Sequence, residues 1–217
     1  MKNTLFIFDI DGTLTDSVPM YLFSVTQSLF ALGISDIDTD YDNYKHHTDS
    51  YALRYNYERN FKKTFPDDLL DDFELDLVNQ MKTFDPIKEI EGAKSLIQFL
   101  KINNIPFCFA TGALPKPAMI KLDQCGIWYD EELLATSKTH ESREGFVVEA
   151  IKKAKVFYNK ENFNRVISVG DGVWDLKTAQ NLSIDFVGIG DKNREKLIQN
   201  GAEKCFSNLI EFKDSLV

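Results

Sequence analysis

The sequence predicts an α/β protein: a doubly wound parallel sheet with helices on both faces, interrupted near its start by a small helical cap. Three observations predict it. Thr4–Phe8 is an apolar run rich in aromatic and branched side chains, the composition of a strand buried on both faces, and it stops on an acid, Asp9. From Gly92 onward, helical and strand-like patterns alternate at short intervals. Between these regions, residues 34–85 carry helical periodicity and no convincing buried strand.

The elements follow in order. After the first strand, Asp9 and Asp11 stand one residue apart, and Gly12 supplies a turn residue that takes positive φ. Ser17 is expected to cap a helix with Pro19 in its first turn, and Tyr21, Leu22, Val25, Leu29, Phe30 and Leu32 recur at helical spacing until Gly33. Two Asp/Tyr-rich connections then separate a pattern through Tyr51, Leu53, Tyr57 and Phe61 from another through Leu69, Leu70, Phe73, Leu77, Val78 and Met81. This stretch begins after the acidic turn and ends near Pro86, so its natural place is over the strand ends, as a lid. The expected division is a core of residues 1–16 and 86–217 and a helical cap of residues 17–85. Within the core, helices are expected at 93–101, 116–124, 145–158 and 175–181, alternating with strands at 105–110, 133–135, 165–169 and 185–189, with a last helix after them.

Composition narrows the function. The 217 residues carry a formal net charge of -9 and are 43% hydrophobic, ample for a packed interior. No basic stripe offsets the acidity, which argues against a nucleic-acid backbone or an anionic membrane as main partner. Cys108, Cys125 and Cys205 lack metal-type spacing, and Cys108 lies in a strand-like run, so reduced thiols and a cytoplasmic setting are expected. The apolar stretch before Asp9 is too brief for a signal peptide or a membrane span.

The polar residues at the strand ends carry the chemistry. In a parallel sheet these ends share one edge, where ligands bind, so Thr111 with Gly112, Asp171 with Asp175, and Arg143 at a helix start are expected to converge on Asp9. Several carboxylates at one edge need a cation, and an all-oxygen set without nearby histidine or cysteine suits Mg2+. Thr111, the amides near Gly12 and Gly112, and the Arg143 guanidinium offer donors for phosphate oxygens. Phosphoryl transfer fits this set. Asp9 would attack phosphorus to give an aspartyl phosphate, and Asp11 would act as general acid and base, help worth roughly 100 to 10,000-fold in rate.

The run Asp9-Ile10-Asp11-Gly12-Thr13-Leu14-Thr15, then Thr111 after a strand, a cation before a helix, and Gly170-Asp171-x-x-x-Asp175 together resemble the four motifs of the haloacid dehalogenase superfamily of phosphohydrolases. The helical insert is similar to the cap of the branch that includes phosphoglycolate phosphatase and β-phosphoglucomutase. The resemblance implies Asp9 as nucleophile, Asp11 as acid and base, and Mg2+ held by Asp9, the Asp11 carbonyl and Asp171, with Asp175 binding or orienting its shell. The dehalogenases lack the second acid, so Asp11 argues against a carbon–halogen substrate. The third motif is usually a lysine; here Arg143 is best placed, with Lys138 as competitor. Similar caps present a specificity loop near Lys45-His46-His47, which makes Lys45 and His47 candidates for the leaving group.

The expected function is a Mg2+-dependent phosphatase acting on a small phosphorylated metabolite, as a monomer or homodimer. A phosphomutase that passes the group to a sugar is the alternative enzyme. A phospho-accepting signalling domain is the alternative outside catalysis.

Overall fold

The computed structural model describes residues 1–40 and 43–217; positions 41 and 42 of the first Asp/Tyr-rich connection lie outside the described residues. Along the chain run β1 (Thr4–Phe8), β2 (Thr15–Asp16), α1 (Val18–Ala31), α2 (Asp49–Phe61), α3 (Leu69–Met81), β3 (Lys88–Glu89), α4 (Ala93–Ile102), β4 (Phe107–Ala110), α5 (Pro115–Gln124), β5 (Leu134–Ala135), α6 (Arg143–Phe157), β6 (Arg165–Gly170), α7 (Val173–Asn181), β7 (Asp185–Ile189), α8 (Arg194–Gln199), β8 (Cys205–Phe206) and α9 (Leu209–Asp214).

Six strands form one sheet in the order β5-β4-β1-β6-β7-β8, and every pairing in it is parallel. From β1 the chain moves outward through β4 and β5, then returns to build β6, β7 and β8 on the other side. The order therefore reverses beside β1, and crevices for ligands open at such reversals, at the carboxyl ends of the strands. The register carries the chemistry to one edge. Phe8 pairs with Phe109 and Val169, so Asp9, Thr111 and Asp171 all follow the ends of adjacent strands.

Alternation along β1 explains why both faces are covered. Phe6 and Phe8 join Phe107 and Phe109 in a cluster with α4 and α9, while Leu5 and Ile7 join Cys108 and Phe146 under α6. All of these side chains are at most 1% exposed, and burying each contributes about 1.5–3 kcal/mol.

β2 and β3 pair antiparallel and bracket α1, α2 and α3. Tyr21, Val25 and Leu29 of α1 pack with Phe73, Leu77 and Met81 of α3, and this apolar cluster runs on into the one beneath the sheet.

Several local expectations change. The strand expected at 105–110 begins at Phe107, where Pro106 removes an amide donor, and that at 133–135 keeps only Leu134 and Ala135 after a single 3-10 turn. Ser17 stands at the α1 N-cap position without making the cap bond; its hydroxyl donates to Asp11 instead. Helix α7, expected from residue 175, starts at Val173, so Asp175 is its third residue and accepts the Gly172 N–H at 3.1 Å.

Candidate active site

The site is built from turns that leave strand ends. Beyond β1 the chain folds back on itself: Leu14 N–H and Thr15 N–H both donate to the Ile10 carbonyl, and Gly12 N–H donates to Thr15 O. Gly12 has φ +81°, and a Cβ there would lie 2.6 Å from Asp171 Oδ2, so only glycine fits between the two acidic turns. At the last position of β6, Gly170 is confined by space alone, since a Cβ would meet the Asp175 carboxyl carbon at 2.6 Å.

These turns bring Asp9, Asp171 and Asp175 together, each offering a carboxylate oxygen within 4.8 Å of the others. Asp9 and Asp175 are only 7% and 5% exposed. Burial and the neighbouring Asp175 push the Asp9 carboxyl well above its ordinary range, and the same causes raise Asp171 to about 7. Burial also raises Asp175, although Arg143 and the Gly172 N–H favour its charged form. A buried cluster of oxygen donors with excess negative charge fits a hard divalent cation.

Arg143, at the first position of α6, reaches this cluster. Its Nη1 lies 2.5 Å from Asp175 Oδ1 and 3.7 Å from Asp9 Oδ1, while its Nε is buried with no hydrogen-bond partner among the described residues. Lys138 does not join it: this lysine is 43% exposed and pairs with Asp71 at 2.8 Å. Thr111 is 1% exposed and its hydroxyl oxygen accepts the Ala113 N–H at 3.1 Å, which leaves the hydroxyl proton for another acceptor. Thr13 donates to Asp9 Oδ2 at 3.2 Å.

Asp11 faces elsewhere. Its carboxylate accepts from Ser17 Oγ at 2.5 Å and from Lys121 Nζ at 2.7 Å, and it lines a cavity of about 330 Å³ between the strand ends and the helices α1 and α2. Leu22, Val25, His47 and Trp174 also line that cavity, with the His47 and Trp174 rings stacked at 5.1 Å. Lys45, expected beside the leaving group, is exposed and outside the lining.

The helices over the site are held to it by named contacts. Asp49 N–H donates to the Gly112 carbonyl at 2.9 Å, and a Cβ on Gly112 would strike the His47 carbonyl, so this glycine is needed for the close approach. Arg54 pairs with Glu141 through two 2.6 Å hydrogen bonds, and Thr48 Oγ1 donates to Glu141 O.

Sequence reasoning missed Lys121, the Tyr21–Asp49 hydrogen bond and Asn193, whose side-chain amide donates to Asp171 O. Helical spacing could have flagged Lys121, because it lies one turn after Pro117 and Ala118 on the buried face of α5.

The family model for haloacid dehalogenase-like hydrolases matches residues 4–182. No curated protein matches the chain in sequence. Among solved structures, the chain is similar to a hydrolase from Pseudomonas syringae, with TM-score 0.72, 21% identity and 99% of each chain covered. A candidate β-phosphoglucomutase from Bacteroides vulgatus gives TM-score 0.72 at 14% identity, covering 98% of this chain and 87% of the other. CbbY from Rhodobacter sphaeroides, in complex with phosphate, gives TM-score 0.69 at 17% identity over 95% of each chain. At these identities the likeness is one of fold.

Proposed function

This chain belongs to the haloacid dehalogenase-like hydrolases, and from that premise we propose that it hydrolyses a small phosphate monoester with Mg2+ through a covalent aspartyl phosphate. One observation carries the reading: Asp9 and Asp171 of the buried carboxylate cluster line the same cavity as Asp11, whose own carboxylate lies outside that cluster and is held by Ser17 and Lys121. A nucleophile and an acid-base group need this separation of environments.

In this reading Asp9, the Asp11 carbonyl, Asp171 and Asp175 would hold Mg2+, which when bound would supply positive charge to the phosphate and offset the crowding of the acids. The Asp9 carboxylate attacks phosphorus and the bond to the leaving oxygen breaks. Asp11 delivers a proton to that oxygen, then takes one from the water that attacks the phosphoaspartate and restores Asp9. The Thr111 hydroxyl and the Arg143 guanidinium, whose Nε has no partner among the described residues, would donate to phosphate oxygens. Residues 17–85 act as the cap over a core of residues 1–16 and 86–217, and the apolar side chains of Leu22, Val25 and Trp174 favour an alcohol with some carbon surface.

The test is a screen of phosphate monoesters with Mg2+, with Asp9→Asn as the blank. Release of phosphate by the wild type and none by the variant is expected; equal release by both removes Asp9 as nucleophile. The phosphomutase alternative draws on the helices seated over the site through the Arg54–Glu141 and Asp49–Gly112 contacts. Product analysis with a hexose phosphate separates the two: an isomeric sugar phosphate marks the mutase and free phosphate the phosphatase.

A further inference from the structure

Lys121 is fully buried near the middle of α5, an unusual place for an ammonium group. Its Nζ lies 2.7 Å from each oxygen of Asp11 and 3.0 Å from the centroid of the Tyr21 ring. The Tyr21 hydroxyl in turn donates to Asp49 Oδ2, which also accepts the Leu114 N–H at 2.8 Å. Burying a lone ammonium costs several kcal/mol, so the charge must be answered by a partner, and the carboxylate in direct contact is Asp11. An apolar side chain of similar length would fill the same space without that cost. The charge is therefore tied to what Asp11 does.

We propose that Lys121 is a positioning residue for the acid-base step: its ammonium, backed by the Tyr21 ring, fixes the Asp11 carboxylate at the cavity and keeps it out of the Asp9, Asp171 and Asp175 cluster. The inference rests on the reading of Asp11 as acid and base. Three donor contacts, two from Lys121 and one from Ser17, restrain a side chain that would otherwise rotate freely at the edge of the site. The arrangement also joins the two parts of the fold. Tyr21 and Asp49 lie on α1 and α2, whereas Lys121 and Leu114 belong to the core, so the clamp on Asp11 is complete only with those helices seated.

A purely structural lysine and a positioning lysine differ in what their loss does to leaving groups. Protonation of the leaving oxygen matters for glycerol phosphate, whose alcohol is a poor leaving group, and little for 4-nitrophenyl phosphate. The experiment measures kcat/KM for both esters with Mg2+ in the wild type, Lys121→Met and Lys121→Arg, with circular dichroism to confirm folding. Lys121→Met is expected to lose about 100-fold or more on glycerol phosphate and less than about 10-fold on the nitrophenyl ester, with Lys121→Arg restoring part of the difference. If Lys121→Met does not fold, Lys121→Gln, which keeps an N–H donor group and loses the charge, makes the same comparison. Equal losses on the two esters, or none, overturn the role of Lys121 while hydrolysis by the wild type stands. Failure of the wild type to exceed the Asp9→Asn blank on either ester overturns the phosphatase reading instead.

Discussion

Replacing Asp171 by asparagine should make the metal-free protein more stable at pH 8 while abolishing its response to divalent ions. Burial, followed by the nearby Asp175, raises the Asp171 carboxyl from 3.8 to about 7 in the folded chain. The folded state therefore holds a proton that the unfolded chain has released between these values. The stability this provides is fully present below pH 3.8 and is lost as pH rises through about 7. Each pH unit of such a shift is worth about 1.4 kcal/mol, which sets a ceiling of about 4 kcal/mol on the penalty of ionising Asp171 in the folded state. The side chain is not wholly sealed from solvent, so about 2 kcal/mol is expected. Asparagine keeps the shape and removes the charge. Urea denaturation with a chelator present should show Asp171→Asn more stable than the wild type by about this amount at pH 8, with the gain shrinking toward zero near pH 4. Adding Mg2+ should stabilise the wild type and leave the variant unchanged. A loss of stability at pH 8, or a gain independent of pH, would show that the cluster does not carry the charge crowding described here.

Arg143→Met should lower kcat/KM by about 10- to 100-fold, the worth of a charge-assisted hydrogen bond to phosphate, and steady-state kinetics with any ester the wild type accepts will measure it. Gly12→Ala should destabilise the fold by about 1–2 kcal/mol from its φ of +81° alone, and the displaced Asp171 should cost activity as well; thermal unfolding and kinetics on one preparation read both. Trp174→Ala removes the ring stacked on His47 at the cavity wall, yet Trp174 is 39% exposed. A raised KM with a nearly unchanged melting temperature is therefore expected, and a large fall in melting temperature would contradict it.

The strand ends were legible because burial on both faces of a parallel strand forces a continuous apolar run, and the polar residue that ends each run is plain in one dimension. Asp9, Thr111 and Asp171 follow such runs, and the register of β1 with β4 and β6 brings them to one edge. Two-residue strands such as β2, β3 and β8 have no period to detect. The helix expected to start at Asp175 starts at Val173, because an acid at the third position of a helix and one at its start look alike without hydrogen bonds. Lys121 escaped for a different reason. Its partner is 110 positions away, and a lysine within a helix is ordinarily solvated, so only the packing of α5 against α1 and the acidic turn reveals it. Lys45 differs again: a cation beside histidines in a polar stretch suggests a ligand loop, and the residue stands exposed outside the lining of the cavity.

The most direct measurement is acid quenching of the enzyme during turnover with a labelled phosphate ester, followed by peptide mapping by mass spectrometry. Phosphate bound to the Asp9 side chain, dependent on a divalent ion and missing in Asp9→Asn, is the predicted result. Hydrolysis that proceeds with no phosphorylated peptide, or with the label on another residue, would contradict the assignment of Asp9 as the group that takes the phosphoryl.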